Sequence, residues 1–133
     1  MSEFTKQPLE EIVNPYFKLY KVLEDGKSFY DEFVDSLSQP ADLNAMDAIR
    51  AIMDRLDNTI LSSTIINHIR GSKSDRNDVY EFKRHNVRIY FIMKKPDFLL
   101  LLGGFKSNQK KDLKKVFRHF NNLPDYIPDY DPR

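Results

Sequence analysis

Residues 98–104 read FLLLLGG, and this run constrains the fold more than any other segment of the chain. Five consecutive apolar side chains without alternation are typical of a strand that is covered on both faces, so we place the segment centrally in a β-sheet. Gly103 and Gly104 end the run, and glycines at a strand end often mark a bulge or a close approach of another group to the backbone.

Alternating segments before this run predict its neighbours in the sheet. Residues 78–84 and 87–93 alternate between apolar and polar side chains, and a tight turn joins them. We expect Asn86 to adopt the left-handed conformation in that turn, because asparagine tolerates it. Residues 63–70 form a further predicted strand. These strands in succession predict an antiparallel meander.

The first half of the chain predicts one strand and two helices. Residues 16–23 alternate and are rich in aromatic side chains, and a turn centred on Gly26 follows. Ser28 can cap a first helix, which we expect Pro40 to end. Asp42 can cap a second helix with an apolar stripe, so the two helices form an αα-hairpin. Asn108 can cap a last helix.

This order of elements predicts an α+β domain over residues 16–121. It consists of a small antiparallel meander sheet with an N-terminal strand, an αα-hairpin packed on one face and a C-terminal helix. We expect the N-terminal strand to join at an edge or beside the central strand, and the helices to cover one face. Residues 1–15 form a loose lead-in, and residues 122–133 form an extended tail rich in proline and tyrosine.

Composition excludes several classes of protein. The chain has no cysteine, which excludes disulfides and thiol nucleophiles and fits a cytoplasmic protein. No apolar run is long enough to cross a membrane, and the first residues are too acidic and polar for a signal peptide. The three histidines lack metal-ligand spacing, so we expect no metal and no cofactor.

The near-neutral net charge of +1 hides an asymmetry between the two halves. Residues 1–60 hold 6 basic and 12 acidic side chains, whereas residues 61–121 hold 14 basic and 5 acidic ones. A basic second half favours an anionic partner, although attraction between the two halves explains the charges equally well.

Several cations of the second half should converge. Alternation places Arg88 and Tyr90 on the face opposite the core residues of strand 87–93, and antiparallel pairing should bring Arg88 near Lys106. Cations and aromatic rings on an exposed sheet face suit a phosphodiester backbone with stacked bases. The further candidates for phosphate contacts are Arg70, Lys73, Lys83, Arg84 and Lys110.

The same segments carry a family resemblance. The order strand, two helices, meander and basic helix, with VYEFKRHNVRIYFIMKK at 79–95 and FLLLLGGFKSNQKKDLKK at 98–115, resembles the RelE/HigB-like toxins of type II toxin–antitoxin systems. The resemblance covers about residues 16–121. It implies an mRNA endoribonuclease that works without a metal, with or without the ribosome, and that pairs with a cognate antitoxin.

In such enzymes the RNA 2′-hydroxyl attacks the adjacent phosphate. The resemblance implies that Arg88 and Lys106 hold this phosphate, and it makes His85 and His119 candidates for moving protons. Where the family has lysines before the turn, this chain has Val79 and Glu81.

Asp112 falls near the place of the family's catalytic tyrosine. Two alternatives therefore stay open. One is a member of the same fold that is not a nuclease, such as a ParE-like toxin directed at gyrase or a degenerate protein that binds a partner. The other is a stand-alone nucleic-acid-binding module.

Overall fold

The computed structural model describes residues 2–57, 66–69 and 79–132. Its strands are β1 (Phe4–Pro8), β2 (Lys18–Glu24), β3 (Ile66–His68), β4 (Val79–Arg84), β5 (Val87–Lys94) and β6 (Asp97–Phe105). Its helices are α1 (Phe29–Ser36), α2 (Pro40–Asp54) and α3 (Gln109–Asn122), and a 3₁₀ turn (Lys106–Asn108) precedes α3.

The described strands form one sheet in the order β1-β2-β6-β5-β4-β3. Only the β2–β6 pair among them is parallel, with Lys21 opposite Leu100, and the other neighbours run antiparallel. The α+β class and the central position of residues 98–104 are thus confirmed. The predicted N-terminal strand, which is β2, lies directly beside the central strand.

Separate hydrophobic cores cover the two faces of the sheet. The αα-hairpin of α1 and α2 packs on one face, where Ile49, Phe82 and Phe91 are fully buried. The other face is covered by α3 and by the residues after it, including Val116 and Leu123. Each such side chain contributes roughly 1.5–3 kcal/mol on burial.

Our expectation that the helices would cover one face was therefore wrong for α3. The physical reason lies in the central strand itself. Leu100 faces the first core, whereas Leu99 and Leu101 face the second, so both faces of β6 need an apolar cover.

The helix starts agree only in part with the caps expected from sequence. Ser28 caps α1 as expected, because its hydroxyl accepts a hydrogen bond from the backbone N–H of Asp31 at 3.0 Å. Helix α2 starts at Pro40 with Gln39 as its cap, not at Asp42. Proline suits a first helical position because its fixed φ fits the helix and its missing N–H would have had no partner there.

Both flanks of the predicted domain contribute to the sheet. The region expected to be a loose lead-in contains β1, which pairs antiparallel with β2. The tail pairs in turn with β1: Lys6 donates its N–H to Pro128 O at 2.9 Å, and Tyr130 donates to Lys6 O at 2.8 Å. Ile127 is buried in the second core. The outer edge of β1 is thereby partly capped.

Two further expectations concern strand 63–70 and membrane segments. Residues 66–68 form β3, and the remaining part of this prediction, apart from Ile69, lies outside the described residues. No helix in the described part of the chain combines the length and apolar character that a membrane crossing requires.

Candidate functional site

The site is built on the hairpin that joins β4 to β5. His85 occupies the turn with φ of +51°, a left-handed conformation that we had expected for Asn86. Histidine is among the residues found there more often than most. Arg88 holds the turn, because its Nη1 donates to the carbonyl oxygens of His85 and Val87, each at 2.9 Å.

Strand register sets two rows of side chains on the face that α3 covers. In one row Asn67 lies opposite Glu81, and Glu81 lies opposite Tyr90. In the other, Lys83 lies opposite Arg88, and Arg88 lies opposite Gly104. Neighbouring rows on one face of a sheet are about 7 Å apart. One end of this sheet face therefore carries carboxylate, phenol and cationic side chains in neighbouring rows.

Arg88 and Tyr90 share a face, as expected, but that face is not exposed. Arg88 is only 7% exposed and Tyr90 is 0% exposed, since α3 lies over them. Arg88 Nε is buried and has no hydrogen-bond partner among the described residues. Buried donors are usually paired, so this donor is unusual.

Lys83 and Arg88 form an unusual cross-strand pair. Like charges directly opposite each other destabilise a sheet. Among the described residues, neither side chain has a carboxylate within ion-pair distance. An anion bound between them would offset this repulsion.

Lys106 adjoins this end of the sheet through its backbone. Its N–H donates to Asn86 O at 2.8 Å, directly beyond the pairing of Val87 with Phe105. The structure thus brings together the chain segments of Arg88 and Lys106, as antiparallel pairing predicts. The two side chains differ in environment, because Arg88 is buried whereas Lys106 is exposed.

Glu81 is held in place by two amide groups. Gln109 Nε2 donates to one carboxylate oxygen at 2.8 Å, and Asn67 Nδ2 donates to the other at 3.3 Å. Glu81 is 5% exposed. Burial raises the pKa of neighbouring Tyr90 well above its ordinary value, and the charges of Glu81 and Asp112 raise it further. Tyr90 therefore remains a neutral phenol at physiological pH.

The start of α3 contributes Asp112 and an adjoining groove. Burial raises the pKa of Asp112, and the charges of Lys115 and Lys111 oppose that shift. A groove of about 630 Å³ runs along the helix beside it. We call this the cationic groove; its lining residues are Asn108, Lys111, Asp112, Lys114, Lys115 and Arg118.

His119 lies in a different part of the molecule from Arg88. It is seven positions after Asp112, about 10 Å along the helix. Its Nδ1 lies 3.5 Å from Glu24 Oε2, and its ring packs on Phe29 with centroids 5.1 Å apart. Burial lowers the pKa of His119, and Glu24 partly offsets this. The structure thus places this candidate in the second core, apart from the cations at the sheet end.

The position of His119 predicts a pH dependence of stability. Because the pKa of folded His119 lies below the ordinary value of 6.5, the unfolded chain binds its proton first as pH falls, and stability declines. Urea unfolding between pH 8 and pH 5 should show a smaller decline for His119→Gln than for wild type. His85→Gln, at an exposed position, should keep the wild-type decline. A constant difference between wild type and His119→Gln across this range would contradict the assignment.

The remaining candidates divide by location. Arg84 and His85 are exposed in the hairpin, Lys83 is half-buried, and Lys110 is exposed on α3. Arg70 and Lys73 lie outside the described residues. In the described part of the chain, no three acidic or histidine side chains converge as a metal-ligand group would.

Sequence reasoning missed two acidic members of the cluster. Glu81 shares a strand face with Lys83, and this alternation was available from the sequence. Asp112 was noted only for its place in the last helix. Its contact with the central strand depends on how α3 crosses the sheet, and no local sequence pattern encodes that crossing.

Comparisons with known proteins do not place the chain in a family. No protein-family model matches it, and no curated protein matches it.

Proposed function

We propose that this protein is the toxin of a type II toxin–antitoxin system and cleaves mRNA in the cytoplasm. The observation that carries the proposal is the convergence of Lys83, Arg88 and Lys106 at the sheet end that adjoins the cationic groove. The order of elements, which underlies the resemblance to RelE/HigB-like toxins, supports it. The phosphates of an RNA strand would give these cations the anionic partners that they lack among the described residues.

The cationic groove supplies a path for the RNA backbone. Within the described residues, Lys111, Lys114 and Arg118 form no ion pair, so their charges are available to a polyanion. Asn108 and Asp112 connect the groove to the end of β6. A strand that follows the groove reaches Lys106 and the hairpin, where Arg88 and Lys83 hold the scissile phosphate.

Cleavage by the 2′-hydroxyl requires a proton acceptor, and Glu81 is the group best placed for that role. Its carboxylate lies one row from Arg88 and is oriented by two amide donors. A general base has to lie within hydrogen-bond reach of the hydroxyl that it deprotonates, and an oriented carboxylate one row from Arg88 is the best candidate for that position. Substrate reaches Glu81 when it displaces the Gln109 side chain. His85, three residues from Arg88 in the exposed turn, is the second candidate.

The proposal is tested by expressing the chain without an antitoxin. We expect growth arrest, together with RNA fragments that end in 2′,3′-cyclic phosphates, formed in the presence of a chelator. Lys94→Ala, which alters a cation at the opposite end of β5, serves as the control and should arrest growth like wild type. Intact RNA, with and without ribosomes, and unimpaired growth would refute the proposal.

The burial of the cluster favours a second candidate function. Arg88 donates two hydrogen bonds to its own hairpin, as an arginine with a purely structural role would. A toxin of the same fold that binds a different target, such as gyrase, would leave RNA intact. A DNA supercoiling assay beside the RNA cleavage assay separates the two functions.

A further inference from the structure

Asp112 is the one carboxylate among the side chains that line the cationic groove. The cations of the groove would favour the ionised form of Asp112, yet burial raises its pKa. Partial burial thus shifts this carboxyl group towards its protonated form, even though lysine and arginine side chains line the same groove.

The central strand has a glycine, Gly104, at the position where this carboxyl group contacts it. A Cβ atom added at Gly104 would lie 2.9 Å from Asp112 Cγ and still closer to Oδ2. Gly104 has no positive φ, so backbone conformation does not require glycine there. The absence of a side chain lets Asp112 rest on the backbone directly opposite Arg88 in the strand register. The carboxyl group therefore lies between the Arg88 row and the groove.

The two carboxyl groups of the site differ in surroundings. Glu81 accepts two amide hydrogen bonds, which fix the orientation of its carboxyl group. Asp112 has no such donors among the hydrogen bonds of the described side chains, and it is partly desolvated against the sheet. Where two carboxyl groups of one site have such different surroundings, one suits the role of the base and the other suits the role of the acid.

Resting on the proposed function, we propose that Asp112 is the general acid of the cleavage reaction. Glu81 accepts the proton of the 2′-hydroxyl, whose oxygen forms a bond to phosphorus. The bond from phosphorus to the 5′-oxygen breaks, its electron pair stays on that oxygen, and Asp112 supplies the proton. The products are a 2′,3′-cyclic phosphate and a 5′-hydroxyl, and atoms and charges balance.

The test compares an RNA oligonucleotide with the same oligonucleotide in which sulfur replaces the bridging 5′-oxygen. A thiolate leaves without protonation and needs no general acid. We expect Asp112→Asn to lose at least about 100-fold in rate on normal RNA and to stay within a few-fold of wild type on the sulfur substrate. Glu81→Gln should lose activity on both substrates. Asp97→Asn, at the far end of β6, is the matched control and should match wild type on both.

Asp112→Asn at the wild-type rate on normal RNA, or equally slow on both substrates, would overturn the assignment of the acid. A second measurement uses the wild-type enzyme, so no substitution can cause a folding defect that affects the result. Its rate on normal RNA should fall as the pH rises through the pKa of Asp112, because the side chain then loses the proton that it donates, and this fall should be absent on the sulfur substrate. Retention of the same fall on both substrates also overturns the assignment. If wild type cleaves neither substrate, the proposed function itself fails.

Discussion

Replacing Arg88 with alanine is expected to lower the rate of RNA cleavage roughly 100- to 1,000-fold, the usual effect of removing one preorganised donor from a developing charge. Arg88 is only 7% exposed and its guanidinium donates to two carbonyl oxygens, so the group is held in a fixed position before a phosphate arrives. Its Nε, which has no hydrogen-bond partner among the described residues, supplies a donor that a phosphate oxygen can use. Single-turnover cleavage of a short RNA measures the effect.

Two further variants separate this role from the support of the hairpin. Arg88→Lys keeps the charge but loses the fork of donors, so we expect it to recover only part of the rate. Lys94→Ala on the same strand should cleave normally. Thermal unfolding of each variant establishes the folded fraction. A folded Arg88→Ala protein that cleaves at the wild-type rate would show that Arg88 serves only to hold its own turn.

Gly103→Ala is expected to lower the free energy of unfolding by about 2–3 kcal/mol, the range that overpacking of a core produces. The new Cβ would lie 2.6 Å from Phe33 Cγ and 2.8 Å from Phe33 Cε2. The ring packs on Phe105, with centroids 5.2 Å apart, so it cannot move away without losing that contact. Urea denaturation of the two proteins measures the difference.

A double-mutant cycle tests the cause of this loss. In a Phe33→Ala background the ring is gone, so Gly103→Ala should destabilise by much less than it does in wild type. An equal penalty in both backgrounds would mean that the clash with Phe33 is not the cause. A chain in which Gly103→Ala alone has no effect would contradict the packing of α1 on β6.

Local patterns predicted the elements of the fold well and its layers less well. The run at 98–104 identified the central strand because only a doubly covered strand tolerates five apolar residues in succession. The sequence did not predict that α3 covers the second face of the sheet, because the apolar stripe of α3 would allow it to pack on either face. β1 was missed because FTKQP has a weak alternation, and its strand character comes from pairing with β2.

For the candidate site, too, features that depend on the strands were predicted, whereas features that depend on the path of α3 were not. Strand alternation and antiparallel register were sufficient to bring Arg88 to the segment of Lys106, because both are properties of the backbone. The burial of Arg88 and Tyr90 depends on the path of α3, which no short pattern encodes. The separation of His119 from the cluster has the same cause, since a position late in the helix lies over β2 and not over β5.

The parallel pairing of β2 with β6 also governs how the chain can fold. Lys21 and Leu100, which face each other in that pair, are 79 residues apart in sequence. Closing a loop of that length costs about 4 kcal/mol of chain entropy, whereas β4, β5 and β6 are joined by short turns. We expect the hairpins of β4 to β6 to form early and the N-terminal third to dock late. The sheet end that holds Arg88 and Lys83 is therefore assembled before the αα-hairpin covers its reverse side.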